Sequence, residues 1–237
     1  PKLTNDVNIQ KDKIQLYQNQ VFVTDNVEGI VPEFLTLLRG VIDSPDIPLN
    51  VSRSYLQADG AVKKISAYIT RKVADKLASL FKNDREGFEK KWNDIKIVIE
   101  YGMLSEEKFF EKSEKFALYP TVDEKFYTYE ELYNKIKAKQ TDKDDKLVIL
   151  YSSDQQAQHS YIENAKNKGY EVLLLDSPIV SHLIQKLESS KEKIQFARVD
   201  SDHIDNLINK DKNKISKLNE DQKKELEEIV KLSLIHI

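Results

Sequence analysis

The spacing of hydrophobic residues predicts a strand and then a helix near the start of the chain. Residues 14–23 have strand chemistry, with Val21 and Val23 alternating around Phe22. Pro32 suits the first position of a helix, because its fixed φ matches the helical value. The apolar face of that predicted helix would consist of Phe34, Leu35, Leu37, Leu38, Val41 and Ile42.

Apolar residues then recur every three or four positions, which predicts a long helix over residues 62–80. Two or three further helical stretches are expected within residues 86–139, one of them beginning at Ser105. Another begins at Thr128, where Glu131 follows at the spacing of a capping box. We therefore expect a short strand region followed by packed helices.

The polar run at residues 140–146 predicts a linker, and the pattern changes after it. Strand-like segments at 147–151, 172–175 and 194–199 alternate with helical segments at 155–166 and 178–187, and Gly169 suits a helix end. This alternation is typical of a small parallel βαβαβ subdomain. The predicted fold class is α/β, divided into a large subdomain (1–140), a small α/β subdomain (141–208) and the start of a helical C-terminal segment (209–237).

The charge and composition of the chain argue against some kinds of binding partner. The 37 basic and 40 acidic residues give a net charge of −3 and form no basic patch, so we expect neither nucleic acid nor membrane as a partner. No apolar run reaches the roughly 20 residues of a membrane span, and the absence of cysteine permits a reducing cytoplasm. Because the chain begins at Pro1, we expect a truncated sequence. Residues 232–237 resemble a translated sequencing adapter and are expected to be an artefact.

The second half has the rhythm of a nucleotide-binding fold without its phosphate chemistry. The turn after the first strand of this half contains no glycine, and no P-loop motif occurs. Four aspartates lie at predicted strand ends, where a phospho-acceptor or a magnesium site is conceivable: Asp154, Asp176, Asp200 and Asp202. Helix capping accounts for them more simply, because each precedes a predicted helix.

Other potential ligands and platforms have structural explanations. The histidines at 159, 182 and 203 lack metal-binding spacing and are expected on helix surfaces. Residues 200–211 resemble an EF-hand loop only at their start, since the sixth position is not glycine. Trp92 lies at helical spacing from Phe88 and Ile95, which favours core packing. No residue of this group predicts a metal site.

The loop at residues 43–57 has the most specific chemistry. Asn50 and Ser52 are good helix N-caps, which places Arg53 in or beside a first helical turn with Gln57 on the same face. A cation there opposes the helix dipole unless an anion binds, and an arginine so placed can stabilise phosphoryl-transfer charge. Alternatively, Arg53 is a solvated arginine paired with Asp43 or Asp46. The pattern alone does not choose between these two interpretations.

The segment GVIDSPDIPLNVSR at residues 40–53 closely resembles the middle-domain signature of the ninety-kilodalton heat-shock chaperones. The bacterial high-temperature protein G branch is the best match. The segments LYQNQVFVTD at 16–25, GYEVLLL at 169–175 and RVD at 198–200 fall in the family's order. The resemblance covers about residues 14–209, which is most of the chain.

The resemblance implies an ATP-hydrolysing chaperone in which a separate N-terminal domain holds ATP and magnesium. Arg53 would contact the terminal phosphate, with Asn50 and Gln57 supporting the loop. It also implies client proteins, a cytoplasmic location and a homodimer formed through a C-terminal domain that begins near residue 209. This fragment alone is expected to be inactive, since one arginine is not an active site. Ser54 replaces an acidic residue that many members carry, and Gln18-Asn19 replaces a more basic pair.

Two other classes of function remain open from the sequence. The second half could be a receiver-like ligand-binding module that uses its strand-end aspartates. The whole chain could instead be a stand-alone α/β interaction module without chemistry.

Overall fold

The computed structural model describes residues 14–25, 30–36, 38–43, 45 and 60–210, with no side-chain detail at 61 and 62. Those residues form eight strands and eight α-helices. A three-stranded sheet comes first, a helical region follows, and a three-stranded parallel sheet flanked by helices completes the described part. The predicted α/β fold class is confirmed.

The first sheet has the strand order β2-β1-β3, with β1 (Ile14–Gln18) in the middle. β2 (Val21–Thr24) pairs with it antiparallel, and β3 (Gly40–Asp43) pairs with it parallel. The strand predicted over residues 14–23 is therefore a hairpin. Asn19 and Gln20 form its two-residue turn with φ values of 48° and 66°, the left-handed region that tight hairpins require.

The helix predicted to start at Pro32 is wrong beyond its first turn. Pro32 precedes a short 3-10 helix, Glu33–Leu35, whose Phe34 is fully buried. Val41 and Ile42 lie instead in β3, where Ile42 is in register with Leu16. Both side chains are β-branched and pack well on a pleated surface, and the pairing with β1 satisfies their backbone groups. Tertiary pairing here overrides the helical spacing.

Four consecutive helices form the middle of the chain: α1 (Gly60–Asn83), α2 (Arg85–Lys90), α3 (Trp92–Ser105) and α4 (Glu107–Ser113). Trp92 is buried and packs on Phe88 with ring centroids 6.2 Å apart, so its predicted core role is confirmed. The helix start predicted at Ser105 is wrong, because Ser105 ends α3 and its hydroxyl donates to the Tyr101 carbonyl.

A small hairpin of β4 (Tyr119–Pro120) and β5 (Phe126–Tyr127) precedes α5 (Tyr129–Gln140). The predicted capping box is confirmed: Glu131 N–H donates to Thr128 Oγ1 at 3.4 Å, and Thr128 N–H donates to the Glu131 carboxylate at 2.9 Å. Arg85 ties α2 to this capping box through Glu131, at 2.5 Å, and to the Phe126 carbonyl, at 3.0 Å. The sequence did not predict this hairpin.

The last region alternates strands and helices as predicted: β6 (Leu147–Ser152), α6 (His159–Asn167), β7 (Val172–Leu174), α7 (Val180–Ser190), β8 (Ile194–Arg198) and the short α8 (Ile204–Leu207). The strand order is β7-β6-β8 and both pairings are parallel. Gly169, with φ of 73°, lies just after α6, where the Tyr170 N–H donates to the Ala165 carbonyl. This part of the prediction is confirmed.

The apolar core is continuous across the predicted boundary at residue 140. One buried cluster contains Trp92 and Phe109 from the helices together with Ile149, Leu183 and Phe196 from the parallel sheet region. A second cluster lies on the other face of β6. The division into two subdomains stays a prediction, but the described parts share packing.

Candidate functional site

The predicted site residues Asn50, Arg53 and Gln57 lie outside the described residues. The structure describes the elements on either side of their segment. β3 ends at Asp43, Pro45 follows, and α1 begins at Gly60. The positions of these two elements therefore define where the predicted loop starts and where it ends.

The start of the loop is held by the turn between β1 and β2. The Gln20 backbone N–H donates to Asp43 Oδ2 at 3.0 Å, and Gln18 Nε2 donates to the Pro45 carbonyl at 3.2 Å. Gln20 is one of the two left-handed residues of this turn, so the hydrogen bond joins the turn to the end of β3. The Asp43 carboxylate thus accepts a hydrogen bond from the backbone of the neighbouring turn. The alternative in which it pairs with Arg53 stays a prediction.

The end of the loop is fixed by α1. Thr70 and Ala74 of this helix are buried, and the half-buried Ile69 and Val73 pack against the main core. Lys112 of α4 also forms an ion pair with Asp75 at 2.6 Å. The position of the helix that follows the predicted loop is therefore set by packing on the core.

The aspartate after β6 holds a turn and is not the helix N-cap predicted for it, since α6 begins at His159 and its N-cap is Gln158. Asp154 Oδ1 accepts hydrogen bonds from the backbone N–H groups of Gln156 and Ala157, both at 3.0 Å. Beside it, Gln158 Oε1 accepts from the hydroxyl of Ser152 at 2.8 Å and from the N–H of Ser153 at 3.0 Å. Gln158 was not predicted, because its burial and its contacts with the end of β6 are visible only in the structure.

The other strand-end aspartates also have protein partners. Asp176 pairs with Lys96 at 2.6 Å, and Asp200 pairs with Arg198 at 2.5 Å. Desolvation alone would raise the pKa of Asp200, but hydrogen bonds from Gln158 and Arg198 outweigh it and lower the pKa.

Asp202 belongs to the same edge of the sheet and accepts from the His203 N–H at 2.6 Å and from Asn206 at 3.0 Å. These hydrogen bonds lower the pKa of Asp202. The predicted helix capping by these four aspartates is wrong, because the helix N-caps are Gln158, Ile179 and His203. The aspartates instead hold turns or form ion pairs within the chain. Within residues 14–25, 30–36, 38–43, 45 and 60–210, no cluster of acidic or histidine side chains could hold a metal ion.

The histidines lie where the sequence placed them. His159, His182 and His203 are all exposed, and His203 caps α8 by accepting the Asp205 N–H at 3.4 Å. In the part of the chain that the structure describes, no helix is long and apolar enough to cross a membrane.

The sequence matches the model of a protein family described as "Hsp90 protein" over residues 2–236. It is 61% identical to the chaperone protein HtpG of Bacteroides thetaiotaomicron over 214 residues, which are 90% of this chain and 31% of that protein. It is 53% identical to the chaperone protein HtpG of Porphyromonas gingivalis over 223 residues, or 94% and 33% of the two chains. The chain thus spans about a third of these curated relatives.

A solved structure is similar in fold. It is the middle domain of a heat shock protein of Plasmodium falciparum, with a TM-score of 0.59 and 21% sequence identity. The similarity covers 82% of this chain and 76% of that one. At this identity the match concerns the fold alone, and the fold it shows is that of a middle domain.

Proposed function

Since the chain belongs to the Hsp90 protein family, we propose that it is the middle part of an ATP-dependent chaperone that assists protein folding. The observation that carries this proposal is the family match over residues 2–236, and the middle-domain fold of the solved neighbour supports it. The substrates would be unfolded or stress-damaged client proteins. The parent protein would act in the cytoplasm as a homodimer, joined through the domain that begins near residue 209.

Within that parent, Arg53 would supply one donor to the terminal phosphate of ATP. A guanidinium has five N–H donors in a planar fork that matches phosphate oxygens, and it keeps its charge at any physiological pH. Asn50 and Gln57 would support the loop, and a separate N-terminal domain would hold ATP and magnesium. Supporting this assignment, both described ends of the loop are held, by the Gln20–Asp43 hydrogen bond and by the packing of α1.

The fragment alone is proposed to be inactive as an ATPase. Phosphoryl transfer needs magnesium ligands, a nucleotide pocket and a positioned water in addition to an arginine. Magnesium, when bound in the parent, would offset part of the charge of the ATP phosphates, while Arg53 would stabilise the charge that develops as the bond breaks. Purified fragment should therefore show no saturable ATP turnover. Turnover that follows the fragment through purification would contradict this.

Arg53→Ala in the full-length parent tests the role of the loop. Turnover at saturating ATP should fall by about 100-fold or more, as for other arginines that stabilise phosphoryl-transfer charge. The Kd for ATP should change little, because the contact would matter most in the transition state. Arg53→Lys should rescue only part of the activity, since lysine keeps the charge without the planar fork.

Arg71→Ala is the matched control, because Arg71 is an exposed arginine on α1 that contacts the ring of Tyr68. This variant should turn over ATP as the unaltered parent does. If Arg53→Ala weakens ATP binding as much as it slows turnover, Arg53 binds the ground state and the proposed role is wrong. If neither quantity changes, the solvated-arginine interpretation is correct.

A further inference from the structure

One buried carboxyl group has no part in the proposed phosphate site. Glu100 lies in α3, only 8% of its surface is exposed, and it faces the loop between β7 and α7. Its carboxylate is within hydrogen-bonding reach of the Ser177 hydroxyl in that loop. None of the residues that the structure describes donates to its second oxygen, Oε2. A buried carboxylate oxygen without a donor is costly when the group is ionised.

Few charges surround this group. Lys96 lies one helical turn earlier in α3, but its ammonium is already paired at 2.6 Å with Asp176, the residue before Ser177. Lys96 favours the ionised form of Glu100, whereas Asp176 opposes it. From the β4 hairpin, the neighbouring group is Tyr119, which is buried and whose pKa is raised chiefly by its own burial. Tyr119 is therefore neutral and adds no charge beside Glu100.

The charged side chains on the other elements that pack against α3 interact with groups other than Glu100. Glu33 of the 3-10 helix hydrogen-bonds to the Tyr101 hydroxyl. Lys186 of α7 pairs with Glu107 of α4, and Lys191 just after α7 pairs with Glu114 at 2.6 Å. Lys96 is therefore the nearby cation that acts on Glu100, and it is shared with Asp176. Burial, the largest influence, raises the pKa of Glu100 above its ordinary value.

We propose that Glu100, buried and with no donor to its Oε2 among the described residues, forms a pH-sensitive joint between α3 and the β7–α7 loop. The Ser177 hydroxyl can donate to Glu100 in either ionisation state, and with the carboxyl neutral the Lys96–Asp176 pair also holds the loop against α3. Ionisation places a second carboxylate beside the one available ammonium, so that either Lys96 leaves Asp176 or water enters the contact. Both outcomes loosen the connection between the helical region and the parallel sheet.

The sign of the pH effect follows from proton linkage. The folded chain keeps the Glu100 proton to a higher pH than the unfolded chain, whose glutamate titrates near the ordinary value of 4.5. Stability therefore falls as the pH rises from 4.5 through the folded pKa and is constant above it. Glu100→Gln removes this dependence while keeping the shape of the side chain. Above the folded pKa, the melting temperature of the variant should exceed that of the unaltered chain by about 3–5 °C for each unit of pKa separation.

A carbon-13 NMR titration of glutamate-labelled chain measures the proton directly. The carboxyl signal that disappears in Glu100→Gln should titrate above 4.5, and Ser177→Ala should move its midpoint higher by removing a donor that favours the ionised form. If Glu100→Gln does not fold, the carboxyl signal of Glu100 can be assigned through its backbone connectivity in the unaltered chain. The titration itself is measured on the unaltered chain. A midpoint at or below 4.5 would overturn the proposal.

Amide hydrogen exchange tests the joint itself. Above the folded pKa, the Val180 amide, which donates to the Ser177 carbonyl at 3.1 Å, should exchange several-fold faster in the unaltered chain than in Glu100→Gln at the same pH. Glu111→Gln is the matched control, because Glu111 is an exposed glutamate of α4, and this variant should exchange at the rate of the unaltered chain. Equal exchange rates in the unaltered chain and Glu100→Gln would mean that Glu100 titrates without loosening the joint, and the proposal would be wrong.

Discussion

Replacing Gly102 by alanine is expected to destabilise the chain, against the usual preference of helices for alanine. Gly102 is buried in α3, and a Cβ atom there would lie 2.8 Å from Cε1 of Phe109 and 3.0 Å from Cδ2 of Phe34. Contacts this short require the neighbouring atoms to move. Both rings are fully buried and their centroids are 4.7 Å apart, so each blocks the retreat of the other.

The size of the effect is a difference between two opposing contributions. Alanine stabilises a helix interior over glycine by about 1 kcal/mol. An added carbon in a well-packed core costs about 1–3 kcal/mol through shifted side chains. Phe109 also packs edge-on against Phe116 at 5.9 Å, which makes a shift more costly. The upper part of that range should apply, giving a net loss of about 1–2 kcal/mol and a melting temperature lower by roughly 2–8 °C.

Thermal and urea unfolding followed by the fluorescence of Trp92 would measure this loss, because Trp92 is the only tryptophan and is buried when the chain is folded. Gly60→Ala is the matched control. A Cβ at Gly60, the first residue of α1, would meet nothing within 4 Å, so this variant should be as stable as the unaltered chain or slightly more so. Gly102→Ala at or above the stability of the unaltered chain would refute the reasoning, since the rings would then accommodate the methyl group.

Two further predictions concern the capping box at the start of α5. Thr128→Ala should lower the free energy of unfolding, measured in urea, by about 1 kcal/mol, because it removes the hydroxyl that accepts the Glu131 N–H. Thr128→Ser keeps this hydroxyl and should be as stable as the unaltered chain. Equal stability of the two variants would contradict the cap. The hydrogen bond from Arg85 lowers the pKa of Glu131, so its contribution is present above the ordinary value of 4.5 and is lost as the pH falls through the depressed folded pKa. The stability difference between the unaltered chain and Glu131→Gln should therefore shrink on acidification below 4.5, and a constant difference would show that this carboxylate contributes nothing through its charge.

The second half of the fold was predictable because its signals are local. β6 is a continuous apolar run, Gly169 ends α6 in the left-handed conformation, and the strands alternate with amphipathic helices. Each feature depends on a few neighbouring residues. The same holds for the Thr128 capping box, whose two hydrogen bonds span three positions.

The first half was less predictable because distant residues decide its structure. Val41 and Ile42 fit either a helix face or a strand, and the parallel partner that selects the strand lies about 26 positions earlier in the chain. The short β4–β5 hairpin depends on similar contacts, since Arg85 donates to the Phe126 carbonyl across 41 positions. Spacing within one segment carries no information about such partners.

For the candidate site, the residues were proposed from the sequence, and the structure describes only the elements on either side of them. Arg53 was identified from the N-cap residues that precede it and from the family resemblance of its segment, and both are visible in the sequence alone. The hydrogen bond from Gln20 to Asp43 joins two segments separated by 23 positions and has no local signature. Glu100 is similar, because its environment depends on the β7–α7 loop, about 77 positions further along the chain.

Gln140 has a mechanical consequence for the longer protein. Its side chain donates to the Val148 carbonyl at 3.0 Å and accepts from the Glu171 N–H at 2.6 Å, and the following turn is clamped where the Lys143 N–H donates to the Asn209 carbonyl. A swivel at residues 141–146 would break these hydrogen bonds and pull apart a shared core. We therefore expect residues 141–146 to resist bending, so that the helices before them and the parallel sheet after them change position together.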